Sequence, residues 1–582
     1  MTLTVAEVAA FVPVDAAIGR APDADDATLR DAVRSELNAA LARALERGLR
    51  APPETPALPA VEVERPAKPE HGDLATSIAL KLARPLRRRP IDIADAILAE
   101  IRTTDADTGS PIEGAEVAPP GFINVRVSTA ALESRIRRVL ADPLSWGRVP
   151  APRDAARINV EFVSANPTGP LHIGNARGAF VGDLLARVLD AAGNRTTREY
   201  YFNDFGAQVR NLGLSVLAVR TGGPVPDDGY HGDYVSDLAA SLPDSIAAAA
   251  GATGEDPGLA VGVWASERVR AGIEASLERL GVHFDVWKSE GSLHREGWVE
   301  QAIERLRDGG HVYEQDGATW FRSTTFGDDK DRVLIRSTGE PTYFAADVGY
   351  VVEKFSRGFD ELIYVWGADH HGTVARLRGA AQAMGLDRER VQMLLTGWVR
   401  FVRDGVEVSM SKRAGTFITL DELLSEVGVD AARWFFASRG ANVDIDFDIE
   451  LAKKQSNENP VFYVQYAHAR IASILRKATT EGLAPSASID GLLAGEPEAA
   501  LARVIVRFPE VVEDAAAARE THAVTTYATE LATAFHQFYR DARVVDPSEP
   551  ARSARRLALA RAAQVTLASA LGLLGISAPE SM

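Results

Sequence analysis

Residues 157–204 constrain the chain more than any other stretch. They read RINVEFVSANPTG, then PLHIGNARGAFVGDLLARVLDAAG, then NRTTREYYFND. An apolar run, a loop carrying Gly169 and Gly174, a helical pattern closed by Gly193 and a second apolar run predict strand, loop, helix and strand. A right-handed crossover of this kind places both strands side by side, so the fold expected is α/β with a Rossmann-type parallel sheet. Ligands of such sheets sit where strand carboxyl ends meet helix amino termini, because unpaired N–H groups there favour anions. His172 falls at such a mouth, with Gly169 and Gly174 permitting close backbone approach and Pro167 and Pro170 stiffening the turn. The imidazole could cap the following helix, or donate a hydrogen bond to a phosphate oxygen that gains charge during reaction. Position alone leaves both readings open.

With 582 residues the chain is long enough for several cores. Three domains are expected: an N-terminal α+β domain over 1–145, the parallel-sheet domain over 152–440 with an insertion within about 220–330, and a helical-bundle domain over 441–582. In the first, helices are predicted over about 28–50, 72–84 and 90–102, with VEVER as an edge strand and GFINVRVS as another. ELIYVWGADHHG and VQMLLTGWVRF supply later strands of the central sheet, and beyond about 450 strand signals give way to helical periodicity. The N-terminus lacks a secretory pattern and no apolar run approaches the roughly 18 residues that span a bilayer, so a cytoplasmic protein with no membrane partner is expected. Zero cysteines exclude disulfides, thiol nucleophiles and thiolate zinc sites, leaving 11 histidines and the carboxylates as metal ligands. The net charge of −17 argues against nucleic-acid binding by bulk charge, though not against a locally basic face.

A second loop changes the reading of the first. DGVEVSMSKRAGTFITL follows a predicted strand and carries Ser409, Met410, Ser411 and Lys412 ahead of Ala414 and Gly415. A lysine on a Ser/Gly-rich loop suits a movable cation for a polyphosphate leaving group, although SKRAG alone reads equally as a solvated basic loop. Taken together, HIGN after the first strand and MSKRAG after a late one resemble the paired HIGH and KMSKS signatures of class I aminoacyl-tRNA synthetases. EHGDLATSIALKLA, PGFINV, VEFVSANPTGPLHIGNARGA, VGVDAARWFF, NPVFYVQYAHARI, TAFHQFYRDARVV and the closing LGLLGISAPESM resemble arginyl-tRNA synthetases in particular, from about residue 30 to 582.

That resemblance implies ATP, with Mg2+, L-arginine and tRNA(Arg) as partners, and a monomer. The arginine carboxylate would attack the α-phosphate of ATP to give arginyl-adenylate and pyrophosphate, and the 2′-hydroxyl of the terminal adenosine of tRNA would then take the arginyl group. His172 and Lys412 would be the catalytic donors, with Gly174, Asn175, Gly367, His370, Met410 and Ser411 completing the ATP site. Glu161, Ser164, Asn166, Tyr343, Asp347 and His370 would line the arginine pocket. A guanidinium wants a carboxylate in planar, paired geometry, and Tyr343 and Asp347, four residues apart, would share a helix face. GADHHG contains an acid and two histidines, but neighbouring side chains diverge and no protein-held metal is expected.

The sequence departs from the family at three places: Asn175 stands for the second signature histidine, Ser409 for the first lysine of KMSKS, and His370 for a glutamine. Arg84, Arg87, Arg88 and Arg89, and separately Arg540, Arg543, Arg552, Arg555 and Arg556, form basic clusters for a tRNA track or simply solvated faces. In NPVFYVQYAHAR, Tyr463, Tyr466 and His468 offer rings to unstacked anticodon bases, and Asn459 and Gln465 polar contacts by family similarity. Phe462 and Tyr466 share a helical face, so some of these rings belong to the core. A synthetase for another amino acid and a non-catalytic RNA-binding relative are the rival readings. HGDLAT with the Tyr343/Asp347 pair favours arginine, and retention of His172 and Lys412 favours an active enzyme.

Overall fold

The computed structural model describes residues 28–50, 52, 55, 57–103, 109–149, 151–247, 256–408 and 419–582. Helix Leu29–Arg47 opens the N-terminal domain, its first turn closed by a reciprocal cap between Thr28 and Asp31. A three-stranded sheet follows in the order β1 (Leu74–Thr76), β3 (Phe122–Val127), β2 (Ile112–Ala118), antiparallel throughout. The start of the expected 72–84 helix is therefore strand: Leu74 and Thr76 register against Val125 and Ile123, and the helix begins only at Ile78. Burying Leu74 against the sheet outweighs helical propensity over these few residues. VEVER makes only a single bridge, Glu64 to Ala75, rather than a strand.

The central sheet has five strands in the order β11 (Val391–Thr396), β10 (Glu361–Gly367), β4 (Arg157–Phe162), β5 (Arg195–Phe202), β6 (Val286–Ser289), all parallel. Strand order reverses between β4 and β10, and the crevice at their carboxyl ends is where such sheets bind ligands. Helix Ala176–Ala191, apolar on nearly every face, is buried between this sheet and the helices that follow. It lies so close to β4 that a Cβ at Gly182 would stand 2.2 Å from the ring of Phe162. An insertion is expected within about 220–330; β6, which lies in that range, belongs to the central sheet and forms its edge. Beyond it a small antiparallel sheet joins β7 (Val312–Gln315), β8 (Ala318–Phe321) and β9 (Arg332–Ile335), and its core packs on helix Tyr343–Ser356.

Strands β12 (Val399–Arg403), β13 (Val406–Glu407) and β14 (Ile445–Asp448) form a separate sheet leading to the helices from Pro460 onward. The last, Pro550–Leu574, is long and apolar enough to pass for a membrane span, contrary to the sequence reading. It is instead the core helix of the bundle, with 78% of its most apolar 18-residue window buried. Arg433, itself buried, ties the domains: it pairs with Asp183 at 2.8 Å and donates to the carbonyls of Leu280, Gly281 and Leu574.

Candidate active site

The chain leaves β4 through Val163 and Ser164, at φ 67° and 43°. Two consecutive side-chain-bearing residues in the left-handed region cost about 1–3 kcal/mol each and persist only where neighbours over-determine them. Ser164 Oγ donates to Glu161 Oε1 at 3.1 Å and accepts from the Tyr201 amide at 3.2 Å. The Tyr200 hydroxyl bonds both backbone groups of Ala165, donating at 2.8 Å and accepting at 3.1 Å. Asn166 donates to Gln208 at 2.7 Å.

At His172 the two readings of the sequence meet. The ring Nδ1 accepts from the Gly174 amide at 3.1 Å while Asn175 Oδ1 accepts from the His172 amide at 3.3 Å, a reciprocal cap on the turn Ile173–Asn175. With Nδ1 an acceptor, the neutral ring carries its proton on Nε2. Gly174 is required there, since a Cβ would stand 2.9 Å from both Cε1 and Nδ1 of the ring. Asn175, where the family has histidine, thus acts locally as the cap's other half. Met410, Ser411 and Lys412 lie outside the described residues. Thr419 forms a bridge to His172, and the Leu420 amide donates to the Leu171 carbonyl at 3.2 Å.

Of the residues expected to line the arginine pocket, Glu161 and Asp347 lie within electrostatic reach of one another. Asp347, partly buried on helix Tyr343–Ser356, makes no hydrogen bond or ion pair among the described residues. Desolvation first, then the charges of Glu161 and Glu290, push its carboxyl up to about 8, with Arg376 opposing. Tyr343 begins the helix and is exposed. Glu161 is buried on β4, registered against Tyr364 of β10 and Glu199 of β5, and paired with Lys354 at 2.6 Å. Gly367 ends β10, and the exposed His370 lies 5.5 Å, ring to ring, from Trp366. Sequence reasoning missed Glu290, which accepts from Tyr201 at 2.9 Å and faces Asp347, and Arg177, which is buried and donates to the carbonyls of Trp398 and Gly440. It also missed Lys354, although Tyr343, Asp347, Tyr350 and Lys354 fall on one helical stripe.

The proposed anticodon residues divide. Asn459 is buried and caps helix Pro460–Thr480, accepting from Val461 and donating to the carbonyls of Ala452 and Lys454. Gln465 is buried on Asp430 and Ser577, and His468 is buried with Nδ1 2.8 Å from the Pro579 carbonyl. These three are engaged inside the fold, each with a partner in the chain's own C-terminal segment or loop. Tyr463 is half-buried, its hydroxyl 3.2 Å from that of Thr533. Tyr466 is exposed and stacks on Phe462 at 6.3 Å, as the shared face predicts. Arg84, Arg87, Arg88 and Arg89 are exposed. In the second cluster Arg540, Arg543, Arg552 and Arg556 each pair with a nearby carboxylate.

Residues 138–221 and 264–447 match the family "tRNA synthetases class I (R), catalytic domain", which skips the stretch between them. Residues 28–127 match "Arginyl tRNA synthetase N terminal domain" and 464–582 "DALR anticodon binding domain". Fold and site are those of a class I aminoacyl-tRNA synthetase. The arginine–tRNA ligase of Bacillus subtilis is 44% identical over 565 residues, 95% of this chain and 99% of that one, and that of Bacillus licheniformis 43% over 561. The structure of Thermus thermophilus arginyl-tRNA synthetase superposes with a TM-score of 0.73 at 25% identity, covering 95% of this chain and all of that one. The chain belongs to the arginyl-tRNA synthetase family, whose function is the aminoacylation of tRNA(Arg).

Proposed function

We propose that the crevice at the ends of β4 and β10 activates L-arginine with ATP and passes the arginyl group to the 2′-hydroxyl of the terminal adenosine of tRNA(Arg). The observation that carries this is Asp347: a carboxyl with no hydrogen-bond or ion-pair partner among the described residues, facing Glu161 and Glu290, is suited to a cation that arrives from outside. Glu161, Ser164 and Asn166 hold the amino-acid end, and Tyr343 flanks the guanidinium. His172 donates from Nε2 to the ATP phosphates, because the Gly174 amide occupies Nδ1. Lys412, Met410 and Ser411, outside the described residues, are assigned to the same phosphates by the resemblance of their motif. His370 and Gly367 border the arginine and the adenosine. Catalysis then rests on positioning and on charge stabilisation at the α-phosphate, with no covalent enzyme intermediate.

Magnesium would arrive with ATP, held chiefly by its phosphates. Tyr466 and Tyr463 are the rings best placed for anticodon bases, and the Arg84–Arg89 group the basic face for the tRNA. The protein acts as a cytoplasmic monomer. Pyrophosphate exchange with ATP, run for arginine and the other standard amino acids with tRNA present, should give signal for arginine alone. Its absence with tRNA bound would overturn the reading. His172→Ala should lose exchange rate far more than tRNA affinity, and equal losses would remove the phosphate role.

A further inference from the structure

Behind the arginine pocket lies a closed network of charge that the reaction itself does not use. Lys354 has no exposed side-chain surface, and its Nζ stands 2.6 Å from Glu161 Oε2. The ammonium is sealed between two aromatic faces, 4.3 Å from the ring centre of Tyr350 and 4.0 Å from that of Tyr364. The other oxygen of Glu161 accepts from Ser164. Glu161 is therefore held at both oxygens, one contact from the floor of the crevice and one from its rim.

Every other group facing this pair is an acid, a phenol or already committed. Glu199, in register with Glu161 on β5, is satisfied by Asn159 at 2.7 Å, by Arg357 at 2.7 Å and by the Tyr350 hydroxyl. Arg357 also pairs with Glu353 at 3.1 Å. On the pocket side stand Asp347, Glu290 and Tyr201. The pocket thus places Glu161, Asp347 and Glu290 within electrostatic reach of one another; Lys354 is the cation in direct contact with Glu161, while Arg376 acts on Asp347. Burial raises the Glu161 carboxyl and Lys354 opposes that rise more than any other group.

We propose that Lys354 is a positioning residue for amino-acid recognition: it keeps Glu161 an oriented anion in the arginine pocket and leaves Asp347 as the charge that the substrate guanidinium must answer. A buried ammonium at this point also sets how many cations the pocket accepts. With Glu161 balanced from within, one guanidinium suffices.

This rests on the reading that Glu161 lines the arginine site, and the variants separate the two. Lys354→Met keeps the side-chain length and removes the charge. It should raise the KM for arginine by about 10- to 100-fold, the worth of a charge-assisted contact, with the KM for ATP within about twofold and kcat at saturating arginine reduced far less. Its arginine KM should improve more steeply than that of the wild type as pH rises from 6.5 to 8.5, because Glu161, lacking its cation, holds a proton beyond the one that Asp347 must release. A residue that merely fills space would not move the pH profile in this way. Lys354→Arg should restore much of the lost affinity, and in Glu161→Gln the further change Lys354→Met should add little, as the two act through one contact. Should Lys354→Met fail to fold, Lys354→Gln and its arginine KM take its place. If Glu161→Gln weakens arginine binding while Lys354→Met leaves the arginine KM and its pH profile unchanged, the proposal is wrong and the reading of Glu161 stands. If Glu161→Gln itself binds arginine normally, the underlying reading fails.

Discussion

Replacing Asp347 with Asn isolates the carboxyl that the substrate guanidinium should meet. In the free protein burial and the neighbouring acids raise this group to about 8, so near neutral pH it carries a proton. Pairing with a guanidinium requires the ionised form, so arginine binding must release that proton and affinity must rise with pH. For one ideal group the affinity would change about 50-fold between pH 6 and 8, approaching tenfold per unit at the acid end. Asp347 keeps partial contact with solvent, which screens some of the penalty, and a rise of at least about 10-fold is the expected outcome. Calorimetric titration of arginine into the tRNA-bound enzyme at pH 6, 7 and 8, in buffers of differing ionisation enthalpy, counts the proton directly. Asp347→Asn should bind arginine at least about 100-fold more weakly and without pH dependence, given the loss of a charged, hydrogen-bonded pair. The same group has a signature in stability. Its folded-state value lies above the ordinary carboxylate value of about 4, so between pH 4 and 8 the native state holds a proton that the unfolded chain has lost. Stability must therefore fall as pH rises through that window, and Asp347→Asn should flatten the fall. A wild-type affinity that stays flat from pH 6 to 8 with no proton released would refute the burial argument, even if the Asn variant binds poorly.

Three further outcomes follow from local geometry. Gly174→Ala should displace the His172 ring from its cap, since the new Cβ would stand 2.9 Å from it. Pyrophosphate exchange should fall by more than about 100-fold while thermal stability drops by only about 1 kcal/mol. Arg433→Met removes one of two cations paired with buried Asp183, Arg187 remaining at 2.8 Å, and takes a donor from the Leu280 and Leu574 carbonyls, so urea denaturation should report a loss of about 1–3 kcal/mol, and no loss would mean that the domain seam does not depend on it. Tyr466→Ala should raise the KM for tRNA with an unchanged melting temperature, whereas Asn459→Ala should lower the melting temperature by removing a helix cap, about 1 kcal/mol in stability. The reverse pattern would exchange the roles assigned to these two residues.

What the sequence made legible follows from how local each signal is. The strand–loop–helix–strand at 157–204 was readable because its periodicities change at glycines within one continuous segment, and the switch point then follows from topology. β6 was not readable as part of that sheet: Val286–Ser289 is four residues long and is recruited by β5 across a helical excursion of more than 80 residues. Leu74–Thr76 looked helical for a related reason, since only the distant β3 supplies the partner that makes it a strand. The internal partners of the anticodon polar residues were illegible for the same reason. Asn459, Gln465 and His468 have the chemistry to read bases, but their partners, Ser577 and Pro579 among them, lie more than 100 residues away in sequence for the last two. No window along the chain shows them.

Lys354 marks the boundary between the two cases. It lies seven residues beyond Asp347 and eleven beyond Tyr343, on the stripe that Tyr350 completes, and a lysine on a stripe already aimed at a pocket is a local signal. What makes it a partner for Glu161 is tertiary, namely the parallel register that puts Glu161 beside Tyr364. The same division bears on His172. Sequence position offered a helix cap or a phosphate donor as rivals, yet the cap engages only Nδ1 and the proposed donor is the other ring nitrogen. Capping through Nδ1 is what assigns the proton to Nε2, so the structural role prepares the chemical one instead of competing with it.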